Sequence, residues 1–257
     1  MTSTGQKRIG NQPWPLSIST RNVPMILMYH AVSDARDDPD LLCVPPDVFA
    51  QQMTWLRRRG LRGVSVATLL AAMQTGSHSR MVGITFDDGY VNVLEAAVPE
   101  LQRHGFGATA FIIAGRLGGT NEWDEGPAWP LMNAEQVRQL ASAGVEIGSH
   151  GSSHRRLAGL SEDELSAEIA ASRASLRALT GTDVAGFAYP YGSMDAAARR
   201  AVHSAGYGYA CAVSASAQDI GIMALPRVYV GKRDGPFRLA VKCLLYKGYV
   251  ALKGRRG

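Results

Sequence analysis

Apolar residues in this chain fall into short β-branched or aromatic runs, each followed by a stretch in which apolar positions recur every three or four residues. The first habit is that of a buried strand, the second that of a helix with one face turned inward. Strand-type runs cover Val23 to His30, Gly63 to Val66, Met81 to Phe86, Ala108 to Ile113, Val145 to Gly148, Tyr207 to Val213 and Leu225 to Val230, with a further strand end at Phe187 to Gly192. Helices are predicted from Pro46 to Gly60, around Leu69 to Met73, from Val91 to His104 and from Asn133 to Gly144. Two more run from the capping box Ser161-Glu162-Asp163-Glu164 to near Gly181 and from Asp195 to Ala205. This alternation predicts an α/β fold, a parallel barrel or a doubly wound sheet with helices outside.

Composition narrows the picture modestly. At 257 residues the chain suits one large α/β unit. With 46% hydrophobic and 19% charged residues it can fill a core and is not disordered as a whole. No run approaches the length of a membrane-spanning helix. Residues 1–22 read as a flexible leader without the apolar core of a secretory signal, which predicts a cytoplasmic location. Cys43, Cys211 and Cys243 are odd in number and widely spaced, which suggests neither a disulfide framework nor a thiolate metal site.

Between Gly115 and Asn133 lies a long irregular segment holding Trp123 and Trp129. Loops of this length inside compact domains are often functional, so it reads either as a substrate-facing lid or as a tryptophan-anchored cover for a hydrophobic edge.

Both fold types gather their sites at the C-terminal ends of the strands. His30, Asp87-Asp88, His150 with His154, Pro190-Tyr191 and Arg227 all fall at or near predicted strand ends. In Thr85-Phe86-Asp87-Asp88-Gly89, adjacent carboxylates at a strand end point in different directions, so one can bind a cation while the other moves a proton. An Asp-Asp-Gly turn with capping acids is the plainer reading of the same residues. His150 and His154 are four apart, and in a helical turn both imidazoles would reach a single cation. With Asp88 they would form a set of two histidines and one carboxylate, although the spacing alone also suits ordinary surface or core histidines.

Thr85-Phe86-Asp87-Asp88-Gly89, Ser149-His150-Gly151-Ser152-Ser153-His154 and Tyr189-Pro190-Tyr191-Gly192 resemble, in order and spacing, three signature motifs of the polysaccharide deacetylase family. This is also called the NodB-homology domain or carbohydrate esterase family 4. The resemblance spans roughly Val23 to Val230, and Leu27 to Val32 with Leu225-Pro226-Arg227 looks like the branch of poly-N-acetylglucosamine deacetylases. It implies a single distorted (β/α) barrel of about seven parallel strands, with the catalytic domain at 23–235. It further implies that Asp88, His150 and His154 bind a divalent metal, most plausibly Zn2+, with Ni2+, Co2+ or Fe2+ as alternatives. Asp87 would be the general base, a backbone N–H near Tyr191 would hold the oxyanion, and His30 would protonate the departing amine. Trp123, Asp124, Trp129, Pro190 and Tyr191 are expected to face an N-acetylated sugar, which is cleaved to acetate and an amino sugar.

Two departures from the family pattern are visible. Many relatives place an arginine before the Pro-Tyr pair to orient the catalytic aspartate, where this chain has Ala188 and Tyr189. Arg227 is the replacement expected from a later strand. The histidine of the late Leu-x-His motif is also absent, since none follows His203, which leaves His30 as the acid. Two other readings stay open: a degenerate member that binds glycan or metal without turnover, and a non-haem iron oxygenase, which uses the same kind of donor set.

Formal net charge is +5, concentrated at the end of the chain. Residues 236–257 read as a basic amphipathic helix and tail, either lying on an anionic membrane or packing as a final barrel helix with a solvated lysine face. Nothing resembles a nucleic-acid-binding motif, and the sequence does not speak to oligomeric state.

Overall fold

The computed structural model describes Ile18 and residues 22–35, 37–124, 127–213 and 219–253, the side chains of 247–253 excepted. Most of the expected leader and the last four residues therefore lie outside the described residues. In chain order the elements are β1 (Ile26–Tyr29), β2 (Ala31–Val32), β3 (Cys43–Val44), α1 (Pro46–Arg58), β4 (Arg62–Val64), α2 (Val66–Gln74) and β5 (Met81–Phe86). After a π-helical turn at Val93–Ala97 come α3 (Val98–His104), β6 (Thr109–Ile112), α4 (Ala134–Ser142), β7 (Glu146–Ser149), α5 (Glu162–Thr180) and β8 (Gly186–Ala188). A 3-10 turn at Pro190–Gly192 leads to α6 (Ala196–Ser204), β9 (Tyr209–Ala212), β10 (Leu225–Pro226), β11 (Val228–Tyr229) and α7 (Pro236–Lys253).

The main sheet runs β10-β9-β8-β7-β6-β5-β1-β11, with every pair parallel and β4 added to the first half of β5. Sequence reading gave one strand from Leu225 to Val230. Instead β10 pairs with β9 at one edge, β11 pairs with β1 at the other, and only Arg227 separates them. The chain itself thus spans the seam of a nearly closed barrel. Pro226 has no N–H to extend the ladder with β9, which suits a change of partner at this point.

Alternation along the strands sorts side chains to two sides. Ile26, Phe111, Ala188, Tyr209, Cys211 and Leu225 share one buried cluster with Val66, Leu69 and Leu70 of α2. Their sequence neighbours Leu27, Ala110, Phe187 and Ala210 belong to the larger cluster under the surrounding helices, as do Ile84 and Ile147. The α2 helix closes the N-terminal mouth of the barrel. Its first N–H groups donate to Thr109 Oγ1 (Val66, 2.9 Å) and to the Glu146 carboxylate (Ala67, 3.1 Å), at the starts of β6 and β7. A side chain at Gly83 would stand 3.2 Å from both Ile26 and Leu69, so this plug needs glycine there. With that end filled, chemistry is left to the C-terminal ends of the strands.

Local signals explain the helices. Ser161 and Glu164 make the expected reciprocal cap at the start of α5, and Gly181 ends it in the left-handed conformation. The helix expected from Val91 is instead a π turn followed by α3, which begins at Val98 just before Pro99. Proline lacks the N–H for a regular bond, and a widened turn accommodates that loss. The three cysteines are buried, and none is in a disulfide. No helix among the described residues is long and apolar enough to cross a membrane.

Candidate active site

Asp87 and Asp88 leave the end of β5 on opposite errands. Asp87 points toward the seam, where Arg227 grips it fork to fork: Nη1 donates to Oδ1 and Nη2 to Oδ2, each at 2.7 Å. The guanidinium also donates to Thr85 Oγ1 (3.1 Å) and to the Ala212 carbonyl (3.3 Å), so its orientation is fixed by β5 and β9 together. Arg227 and Asp87 are both buried. Burial pushes the Asp87 carboxyl up, but the Arg227 charge, His150 and the Arg227 hydrogen bonds outweigh it and hold it below the usual carboxylate range.

Asp88 has a left-handed backbone (φ 71°) and presents Oδ1 3.4 Å from Nε2 of both His150 and His154. Burial again raises its pKa, and the neighbouring His154, His30 and His150 bring it well below the ordinary value. One donor atom from each of Asp88, His150 and His154 lies within 4.8 Å of the others, and all three residues are buried. Asp88 Oδ1 has no hydrogen-bond partner. The His150 Nδ1 donates to the Ala188 carbonyl at 2.8 Å, which directs the Nε2 lone pair into the cluster. Burial lowers the His150 pKa to about 4, so the ring is neutral at physiological pH, as a ligand must be. An orphaned carboxylate oxygen facing two imidazole nitrogens is a donor set suited to a divalent transition metal.

The helical turn expected for His150 to His154 does not form. Gly151 (φ +81°) and His154 (φ 65°) make an irregular loop instead, pinned at one end by His150 N–H to the Ile112 carbonyl (2.8 Å). What holds its other end is Glu168 of α5, which sequence reading missed. Its carboxylate accepts the N–H groups of Ser152 and Ser153, each at 3.0 Å, and the Ser153 hydroxyl. A Cβ at Gly151 would stand 3.1 Å from this carboxylate. The signal lay in the spacing: Glu168 is a charge within the buried stripe Leu165, Ile169, Ser172, Leu176.

Around His154 the wall is aromatic. Its ring lies between Trp123 and Tyr191, with 4.5 Å between centroids on each side, and Arg156 stacks on Tyr191 at 4.3 Å. Pro190 is buried beneath, while Tyr191 is half-exposed and left-handed (φ 56°). Among the described residues four non-glycine residues have left-handed backbones, and Asp88, His154 and Tyr191 are three of them. Such conformations cost about 1 to 3 kcal/mol each and persist where surrounding contacts enforce them.

The long loop is tied to the Asp87-Asp88-Gly89 turn by Met132 N–H to the Gly89 carbonyl (2.8 Å) and Val91 N–H to the Pro130 carbonyl (3.1 Å). It carries Trp123 to the cluster and Asp124 close enough to feel Asp88; burial and then that charge raise the Asp124 pKa. Trp129 sits further out, edge-on to Tyr90 at 5.6 Å, beside a crevice shared with Asp40, Leu42, Asn121 and Asp124. His30, at the end of β1, is half-buried with Nδ1 unpartnered, and its charge would act on both aspartates.

Fold and donor set together define a parallel-barrel protein with a metal-type cluster of one carboxylate and two imidazoles at its strand ends. The sequence profile described as polysaccharide deacetylase matches residues 74–210. YxkH of Bacillus subtilis (strain 168), whose name assigns it to the polysaccharide deacetylases, is 30% identical over 209 residues, covering 80% of this chain and 70% of that one. The chain belongs to the polysaccharide deacetylase family. Solved structures show the same fold: Streptococcus pyogenes deacetylase PplD in complex with acetate has a TM-score of 0.73 at 22% identity, over 86% of this chain and 97% of that one. IcaB from Ammonifex degensii has a TM-score of 0.70 at 24% identity, over 86% and 96%. His30 and Arg227 both lie outside the segment matched by the family profile.

Proposed function

We propose that the protein is a metal-dependent hydrolase that removes the N-acetyl group from an N-acetylated sugar, a glycan or a biosynthetic sugar intermediate. The observation that carries this reading is the convergence of Asp88, His150 and His154 on one point beside an aspartate clamped by a buried arginine. When bound by those three residues, a divalent metal, Zn2+ by preference, would supply a Lewis acid for the acetamide carbonyl and lower the pKa of bound water from about 16 toward 7.

The chain's own residues then divide the work. Asp87, ionised and held in one orientation by Arg227, takes a proton from the attacking water. The backbone N–H at Tyr191 holds the oxygen that becomes negative during attack. His30 gives a proton to the departing nitrogen, so water is added across the amide and acetate and a free amine leave. Trp123, Asp124, Pro190 and Tyr191 wall the space in which the sugar ring sits, and Trp129 extends that wall along the loop.

Arg227 also favours turnover over a binding-only role. Ala188 removes the arginine that many relatives use, but it is buried in the cluster with Phe111, and the Arg227 guanidinium lies over that same Phe111 ring at 5.6 Å. The charge therefore reaches Asp87 from another strand. The test is acetate release from N-acetylglucosamine oligomers, lipid-linked acetamido sugars and sugar nucleotides, run with zinc and without oxygen. Release that a chelator abolishes and Asp87→Asn removes is expected. No release from any of these, or equal release by Asp87→Asn, overturns the reading, and a requirement for oxygen would favour the oxygenase.

A further inference from the structure

The outer face of α7 is apolar where a solvated lysine face was one expectation. Leu239, Cys243 and Tyr246 turn inward, and the Tyr246 hydroxyl donates to the Pro226 carbonyl at 2.9 Å. On the opposite face Phe237 is 81% exposed, Leu244 73%, Leu245 65% and Val241 39%. Seven large hydrophobic residues are exposed among those described, and these four lie together at i, i+4, i+7 and i+8 of one helix. Single exposed apolar side chains are ordinary on a protein surface, whereas a contiguous stripe of them marks a contact face.

The charge of the sequence that carries this stripe points to what it contacts. Residues 236–257 hold six of the chain's 27 cations and none of its 22 acids, so this stretch is +6 while everything before it is −1. Arg238 and Lys242 lie against Asp234, the last acid in the chain, at the start of the helix. Lys247, Lys253, Arg255 and Arg256 follow with no acid near them in sequence. A second copy of the chain on this face would bring two such runs of like charge together, which opposes pairing. An anionic lipid surface accepts both features, taking the apolar side chains at the boundary of the acyl region and the cations at the headgroups.

We propose that α7 docks the protein onto anionic membrane through Phe237, Val241, Leu244 and Leu245, with the basic residues that follow as the electrostatic half of the contact. This is peripheral binding. It is independent of the reaction assigned to the site.

The experiment uses the full chain with vesicles of phosphatidylcholine alone and of phosphatidylcholine mixed equally with phosphatidylglycerol, read by co-sedimentation. Binding to the mixed vesicles, at least about tenfold weaker to the neutral ones and weakened by added salt, is the expected result. Replacing Leu244→Asn with Leu245→Asn lowers it roughly tenfold or more, and the exposure of both residues predicts an unchanged melting temperature. A second variant, Lys247→Gln with Arg255→Gln and Arg256→Gln, weakens binding while leaving the apolar stripe intact. Equal or absent binding to both vesicle types, or a leucine variant that binds like the wild type, overturns the proposal. So does a dimer, seen by light scattering, that the leucine variant breaks without any vesicle binding by the wild type; that outcome gives the face to a second copy.

Discussion

Arg227 and Asp87 meet in a buried, two-point ion pair, both hydrogen bonds at 2.7 Å, although 140 residues separate them in sequence. Removing one side of such a pair leaves an uncompensated charge. Arg227→Ala is expected to destabilise the fold by about 3 to 5 kcal/mol and to lower kcat by roughly 100-fold through loss of Asp87 orientation. Burial is then opposed only by the nearby His150 and His30 and the Asp87 pKa rises, so the acid limb of the pH-rate profile moves to higher pH. Moving the charge back with Ala188→Arg in the Arg227→Ala background should recover part of kcat. An unmoved acid limb in Arg227→Ala would show that Arg227 does not set the ionisation of Asp87.

Glu168 offers a separate test, because it reaches the metal-type cluster through Ser152 and Ser153 rather than by touching it. Glu168→Ala is expected to weaken zinc binding by about 10- to 100-fold and to cost about 1 to 3 kcal/mol from N–H groups left unpaired. Calorimetric zinc titration and urea unfolding read the two effects. Unchanged zinc affinity would place Glu168 in the fold alone.

Metal removal should be visible without substrate. If Asp88, His150 and His154 hold the ion in the folded state only, saturation at 1,000 times Kd adds about 4 kcal/mol of stability. Chelator should therefore lower the Tm of the wild type and leave that of Asp88→Ala unmoved. An equal chelator effect on both proteins would mean that the ion binds elsewhere.

The cap of α5 predicts an acid-range effect far from the site. The hydrogen bond from the Ser161 backbone, followed by those from Arg155 and the Ser161 hydroxyl, lowers the Glu164 pKa from 4.5 to about 2. A depressed folded value means that the stabilisation is present above pH 4.5 and is lost as pH falls toward 2. Carboxyl NMR titration should place Glu164 at the low value. Glu164→Gln should flatten part of the decline in Tm over that pH window.

The barrel was legible because its strands are short, apolar and separated by amphipathic helices, and Asp87-Asp88 was legible as an acid pair at the end of one of them. Distance in sequence hid the rest. Glu168 reads as one more charge on a long helix until its place among Leu165, Ile169 and Leu176 is noticed, and no local rule says that it will reach Ser152. The loop that carries His154 is shaped by contacts to Ile112, Ala188 and Glu168, none of them its neighbours, so a helical expectation drawn from spacing alone failed there. Arg227 was within reach as a candidate, but its partner depends on a change of strand pairing that spacing does not encode.

That change of pairing also has a consequence in time. Because β10 and β11 emerge late in synthesis and Arg227 lies between them, the charge that orients Asp87 arrives only when the last strands have joined both edges of the sheet. A nascent or truncated chain ending before Leu225 would carry Asp88, His150 and His154 but lack the guanidinium that pairs with Asp87. On the mechanism proposed above, a chain that stops short of these strands is slowed as Arg227→Ala is, so the last strands to be made set the pace of the chemistry.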